Sequence, residues 1–355
     1  MTSTTHDTTD TSTTDFTERL AAVGLRIQQP GDVPIFTPEP KPTMVPMHWK
    51  WSQLSGLIDE LSEHLSLAPG SGRRTLKLTN PGLEFGTTPT FWASIQYILP
   101  GEVATAHRHT PEAFRFVMSG HGCRTTVNGE NYEMHAGDLV LTPSWDWHDH
   151  VHHGEEPMIW LDVLDISLVR FFDSIFFENY SADVQPVDEV PDAGYRRFGS
   201  GLLRPVGAVA TGNDNPLLAY PKAQADAAVA QAAGLPADPV DDVILEYQDP
   251  TTGNPVMKTL SMKTQLLRNG FRGRSVQHTG SKVYWVIDGS GTTEVAGRRF
   301  EWSKGDFFAI PSWAPHRHEN ASGADARLFR VDDSPLLRAA GLYVERPVQD
   351  ETISR

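Results

Sequence analysis

The chain carries one pattern twice, and that repeat restricts its possible folds more than any single motif does. His109 lies eleven residues before Gly120, and His278 lies eleven before Gly289. Asn128-Gly129 recurs as Ala296-Gly297, Gly137-Asp138 as Gly305-Asp306, and Pro143-Ser-Trp145 with His148 as Pro311-Ser-Trp313 with His316. The offset is 169 residues and falls to 168 after a one-residue deletion between Gly120 and Gly129. Self-similarity at constant spacing means two copies of one structural unit.

The unit is built from strands. From about residue 72 the hydrophobic pattern has period two, in short runs rich in β-branched and aromatic residues such as 91–99, 113–118, 124–127 and 138–142. Gly, Pro and Asn-Gly separate the runs, the mark of an all-β sandwich or barrel. Five segments are expected. Residues 1–14 hold only Met, Thr, Ser, Asp and His, too little apolar surface to offset ordering, and read as a disordered tail. Residues 15–71 form an arm with helical periodicity at 16–27 and 52–66, divided by an extended proline-rich stretch at 38–46. A first barrel spans 72–184, a linker with one helix near 222–233 spans 185–240, and a second barrel spans 241–355.

Eight of the fourteen histidines fall between His107 and His153. On a strand, residues i and i+2 share a face, so His107 and His109 offer two imidazoles to one point. His148 supplies a third from a neighbouring strand. Three neutral nitrogen donors with open positions suit Fe, Zn, Mn or Cu. A bare His-x-His is weak evidence, but its spacing to Gly137-Asp138 and His148 resembles the two-part cupin signature. In the second repeat Val276 replaces His107, which removes a donor. His278 and His316 read as leftovers, and the second barrel as metal-free scaffold.

Parity places further side chains. Arg115 shares the interior face with His109, either as a fork for a substrate carboxylate or in an internal ion pair with Asp162. His150 shares the face of His148, where it could bond a substrate hydroxyl, shuttle a proton or support the ligands. Trp92 and Gln96 point inward on the preceding strand. Arg74 has the parity of Leu76 and Leu78 and is expected to look inward. His152 and His153 read as a solvated loop, and Cys123 as a buried filler.

Composition excludes several classes. A net charge of −15 argues against a nucleic-acid partner. No apolar run is long enough to span a membrane, and no signal sequence opens the chain, so a cytoplasmic protein is expected. One cysteine permits neither an internal disulfide nor a thiolate cluster.

Several segments resemble the gentisate 1,2-dioxygenase family, the bicupin ring-cleaving dioxygenases that include salicylate and 1-hydroxy-2-naphthoate dioxygenases. These are 44–51, 73–82, 91–96, 107–116 with its His-Arg-His-Thr block ending in Arg-Phe, 137–143 and 159–162. The match covers roughly residues 15 to 350. It implies an all-β bicupin, two double-stranded β-helix (jelly-roll) barrels with a few peripheral helices. It implies Fe(II) on His107, His109 and His148. Substrate-contact and supporting positions fall on Trp92, Gln96, Arg115, His150 and Asp162, with a further arginine at Arg74 or, less directly, Arg73. The implied partners are O2 and a small aromatic carboxylic acid, whose ring opens between the carboxyl- and hydroxyl-bearing carbons, and the implied assembly is a homotetramer. Gentisate is the default substrate. Salicylate, a substituted salicylate and 1-hydroxy-2-naphthoate stay open, because Ser94 stands where several members carry Gly or Ala and the loop 82–90 has no close match. From the residues alone, a non-catalytic bicupin binding aromatic acids, or a Zn- or Mn-dependent cupin isomerase or hydrolase, also remains.

Overall fold

The computed structural model describes residues 9–28, 32, 34–65, 73–188, 190–207 and 215–348. Residues up to Lys41 form one unit and those from Pro42 onward another. In the first unit the helix runs Thr9–Ala22, upstream of the expected 16–27 and beginning inside the stretch read as tail. The reason is Gly24, at φ 74°: its N–H bonds Ala21 O and the Leu25 N–H bonds Leu20 O, a left-handed cap that stops the helix before Ile27. The rest of the tail, residues 1–8, lies outside the described residues.

The second unit holds four antiparallel sheets, two for each repeat. The first repeat contributes a six-stranded sheet in the order Ala219–Tyr220, Leu139–Thr142, Ala113–Ser119, Met158–Leu164, Trp92–Ile98, Arg74–Lys77. Facing it is a five-stranded sheet in the order Phe177–Asn179, Val103–His109, His148–His152, His121–Val127, Glu130–His135. The second repeat copies this with Met47–Trp49, Phe307–Ile310, Lys282–Asp288, Ala326–Asp332, Ser261–Leu267, Val243–Glu246, and with Arg298–Ser303, Ser290–Val295, His316–Glu319, Val276–His278, Glu345–Pro347. The repeat extends to backbone strain: Asn128 and Ala296 have φ 47° and 48°, and Trp145 and Trp313 have 65° and 61°. The helices Trp51–His64 and Lys222–Ala232 occupy the expected places.

Alternation along each strand produces two kinds of core. In the first barrel Ile98, Val117, Cys123, Met134, Val140 and Trp160 face inward. The opposite faces of both six-stranded sheets meet in one larger cluster, where Ile95, Phe114, Phe116 and Leu161 pack with Met262, Trp285, Phe307 and Phe329. The rings of Phe116 and Phe329 lie 4.1 Å apart. At about 25 cal/mol per Å² of apolar surface, this second core fastens the barrels back to back. The segments assigned to arm and linker each join a barrel: Met47–Trp49 pairs with Phe307–Ala309 of the second, and Ala219–Tyr220 with Leu139–Val140 of the first. Among the described residues no helix is long and apolar enough to cross a membrane.

Candidate metal centre

Antiparallel pairing of Val103–His109 with His148–His152 sets His107 opposite His148. The ligand atoms of His107, His109 and His148 all lie within 4.8 Å of one another. Ring centroids are 4.4 Å apart for His107 and His148 and 4.8 Å for His109 and His148. Each Nδ1 meets a backbone carbonyl: Thr105 O at 2.6 Å from His107, Pro111 O at 2.8 Å from His109, and Asp146 O at 2.9 Å from His148. A carbonyl can only accept, so each Nδ1 carries the hydrogen and each Nε2 keeps a lone pair, the arrangement of a metal-binding imidazole. Burial pushes the pKa of His107 and of His109 down to about 4 and that of His148 well below its usual value. All three are therefore neutral donors near pH 7. The His148 Nε2 is buried without a hydrogen-bond partner, an atom that a coordinated cation would satisfy. The donor set and its geometry fit a metal ion.

The interior face beside the triad is polar. Arg115 is 1% exposed; it donates to Thr142 Oγ1, and its Nε lies 3.5 Å from Asp162 Oδ1. The other oxygen of Asp162 accepts from Gln96 Nε2 at 3.0 Å, and Gln96 Oε1 accepts from Trp160 Nε1 at 2.9 Å. Burial lowers the pKa of Arg115 to about 10 and raises that of Asp162, so neither charge is fully compensated by the other. Arg115 is thus in an internal ion pair while its positive field acts on His107, His109, His148 and His150. The His150 Nδ1 is 2.8 Å from Thr125 Oγ1, and its buried Nε2 has no partner. The Trp92 ring meets Phe85 edge-on at 4.3 Å, with Lys77 Nζ 4.2 Å from its centre.

Three expectations need correction. Arg74 does not face the triad: it is bound to Glu102 through both carboxylate oxygens, at 2.9 and 3.0 Å. It does share a face with Leu76 and Leu78, but those leucines pack into the core between the barrels. The pairing Thr75↔Gln96 and Lys77↔Ser94 turns the alternate residues toward the triad, which gives that side to Arg73. Arg73 accordingly acts electrostatically on His107, His109, His150 and Arg115. His152 is not in a solvated loop; it ends a strand, fully buried, with Nε2 2.7 Å from Glu156 O, whereas His153 is exposed. The linker holds more than one helix, since Ala193–Phe198 is a second. Cys123 is buried, and its thiol is pushed up to about 12, which makes it inert.

The sequence reading missed what fills the equivalent place in the second barrel. His278 and His316 face each other at 5.3 Å, and Lys282 Nζ sits 3.2 Å from His316 Nε2. The signal was available: Lys282 occupies the repeat position of Ala113.

A cupin domain model matches residues 94–164 and 265–332, one match in each repeat. A gentisate 1,2-dioxygenase from Streptomyces sp is 37% identical over 354 residues, covering 94% of this chain and 97% of that protein. A 5-aminosalicylate 1,2-dioxygenase from Comamonas sp is 35% identical over 314 residues, covering 87% and 83%. The crystal structure of salicylate 1,2-dioxygenase from Pseudoaminobacter salicylatoxidans with gentisate superposes with a TM-score of 0.88 at 33% identity, covering 98% of this chain and 96% of that one.

Proposed function

The chain belongs to the gentisate 1,2-dioxygenase family of ring-cleaving bicupin enzymes, and from that membership we propose that it holds Fe(II) on His107, His109 and His148 and opens the ring of gentisate with O2. The observation that carries this reading is the common tautomer of the three histidines, each Nδ1–H spent on a carbonyl and each Nε2 left to ligate. Fe(II) supplies the redox chemistry that lets O2 react with a singlet organic ring.

The side chains of this protein bind and orient. A substrate carboxylate entering beside Arg115 gives its guanidinium the compensation that Asp162 alone leaves incomplete, and Arg73 adds positive potential on the same side. Asp162, held by Gln96, keeps the Arg115 fork in place. Trp92 and Phe85 supply an aromatic wall for the ring. His150 offers its unpartnered Nε2 to a substrate hydroxyl, where it holds or moves a proton. The carbon–carbon bond between the carboxyl- and hydroxyl-bearing carbons breaks, and both atoms of O2 enter the product. In the second barrel, Lys282 beside His316 supports a scaffold role rather than a second metal centre.

Oxygen uptake by anaerobically iron-loaded protein tests the reading against gentisate, salicylate, 5-aminosalicylate and 1-hydroxy-2-naphthoate. One O2 consumed per gentisate, with a new ultraviolet band from the ring-opened acid, is expected. Faster uptake with another member of the panel would replace the substrate; none with any, despite bound iron, would overturn the proposal.

A further inference from the structure

The two barrels clasp each other through a reciprocal pair of aspartates. Thr259 of the second barrel donates to Asp165 Oδ2 of the first at 2.8 Å, and Thr90 of the first donates to Asp333 Oδ2 of the second at 2.6 Å. The other oxygen of each aspartate accepts a backbone N–H within its own barrel, from Glu112 at 2.9 Å and from Ser281 at 2.9 Å. Asp165 with Asp333, Thr90 with Thr259, and Glu112 with Ser281 are all separated by the repeat offset of 168 or 169 residues. Both aspartates are 3% exposed.

The symmetry fails at one atom. The Glu112 N–H that Asp165 holds belongs to the same peptide unit as Pro111 O, and Pro111 O accepts the Nδ1–H of His109 at 2.8 Å. In the second barrel the matching peptide joins Gly280 to Ser281, but His278 bonds Thr279 O instead, at 2.7 Å. A trans peptide is planar, with its N–H and C=O directed to opposite sides. Fixing the N–H therefore fixes the carbonyl, and an anionic acceptor on the N–H polarises the C=O toward a stronger acceptor.

We propose that Asp165, held by Thr259 from the second barrel, is a positioning residue for the metal ligand His109, acting through the 111–112 peptide. The second barrel is then part of the metal centre's machinery. The relay orients the His109 ring, holds its tautomer and raises the basicity of its Nε2, the role that a carboxylate bonded directly to a metal-ligating histidine plays elsewhere. The inference rests on the assignment of His109 as a metal ligand.

Asp333 provides an internal control, because it makes the same two bonds across the same contact without reaching a ligand. Co(II) is titrated into the metal-free protein of wild type, Asp165→Ala, Asp165→Asn, Thr259→Val, Asp333→Ala and His109→Ala. Affinity is read from the visible Co(II) bands, and the thermal midpoint is recorded for each protein. Asp165→Ala should bind Co(II) about tenfold more weakly than wild type. Thr259→Val should weaken binding in the same direction with a smaller loss of stability. Asp165→Asn, which keeps an acceptor oxygen, should recover most of the affinity. Asp333→Ala should lower the midpoint about as much as Asp165→Ala and leave the affinity and the Co(II) bands as in wild type. Equal affinity loss in the Asp333 and Asp165 variants, or none in Asp165→Ala and Thr259→Val, overturns the relay while leaving the triad intact. Unchanged Co(II) binding in His109→Ala overturns the triad and the relay with it.

Discussion

Removal of the Asp162 carboxylate should cost far more than a surface substitution. Its side chain is 3% exposed and that of Arg115 2%, with 3.5 Å between Nε and Oδ1. At an effective dielectric of about 20, two unit charges at that distance attract by about 5 kcal/mol. Desolvation consumes much of this, as the lowered Arg115 and raised Asp162 pKa values show. Asp162→Ala strands a buried guanidinium and should lose about 3–5 kcal/mol of stability at pH 7. Arg115→Met differs in kind, because the stranded carboxyl can escape its cost by taking up a proton. Its folded pKa then stands above the unfolded value, so the variant keeps its stability at low pH and loses it as pH rises through the folded value. The limiting slope is about 1.4 kcal/mol per pH unit. The double variant Arg115→Met/Asp162→Leu removes both charges and should return close to wild-type stability while remaining inactive. Urea unfolding of the metal-free protein at pH 5, 6 and 7, followed by tryptophan fluorescence, measures all three. An Asp162→Ala variant within 1 kcal/mol of wild type, or an Arg115→Met loss independent of pH, would refute the account of a buried, mutually dependent pair.

His107→Ala should reduce bound iron to less than about a tenth of an equivalent per chain, measured by elemental analysis, since two imidazoles make a poor site. Gly82→Ala should cost about 1–3 kcal/mol and expose the 38–46 stretch to protease, because a Cβ there would lie 1.9 Å from the backbone carbonyl oxygen of Thr43, beside the Asn80 bonds to Val45. Lys282, depressed to about 7 by burial, adds stability that is full above its unfolded pKa near 10.5 and is lost as pH falls toward 7. Wild type should therefore gain unfolding free energy between about pH 7 and 10, and Lys282→Met should flatten that rise. An unaltered slope would mean that the amine is solvated.

Much of the architecture was present in the order of residues. Two copies of one unit, a strand period of two and the 107, 109, 148 spacing depend only on local repetition, and each reappears in space, even as matched left-handed residues at Asn128 and Ala296. The inward parity of Arg115, Gln96 and His150 also held, since each strand has a packed interior on that side. Parity, however, sorts residues into two faces without saying what each face meets. Arg74, Leu76 and Leu78 share an apolar face, but it belongs to the contact between barrels, and only the register against Trp92–Ile98 shows that Arg73 has the metal side. Gly24 ends a helix at Ala22, five residues before the end that apolar periodicity suggests, because a cap is set by backbone conformation. The clasp runs from Thr259 to Asp165, 94 residues apart in sequence, and on to His109 by way of a single peptide unit. No local pattern encodes such a path. Repetition determined what the units are and strand parity which histidines could meet; strand register decided that Arg73 and not Arg74 took the metal side, and packing of one barrel on the other brought the Thr259 hydroxyl to Asp165.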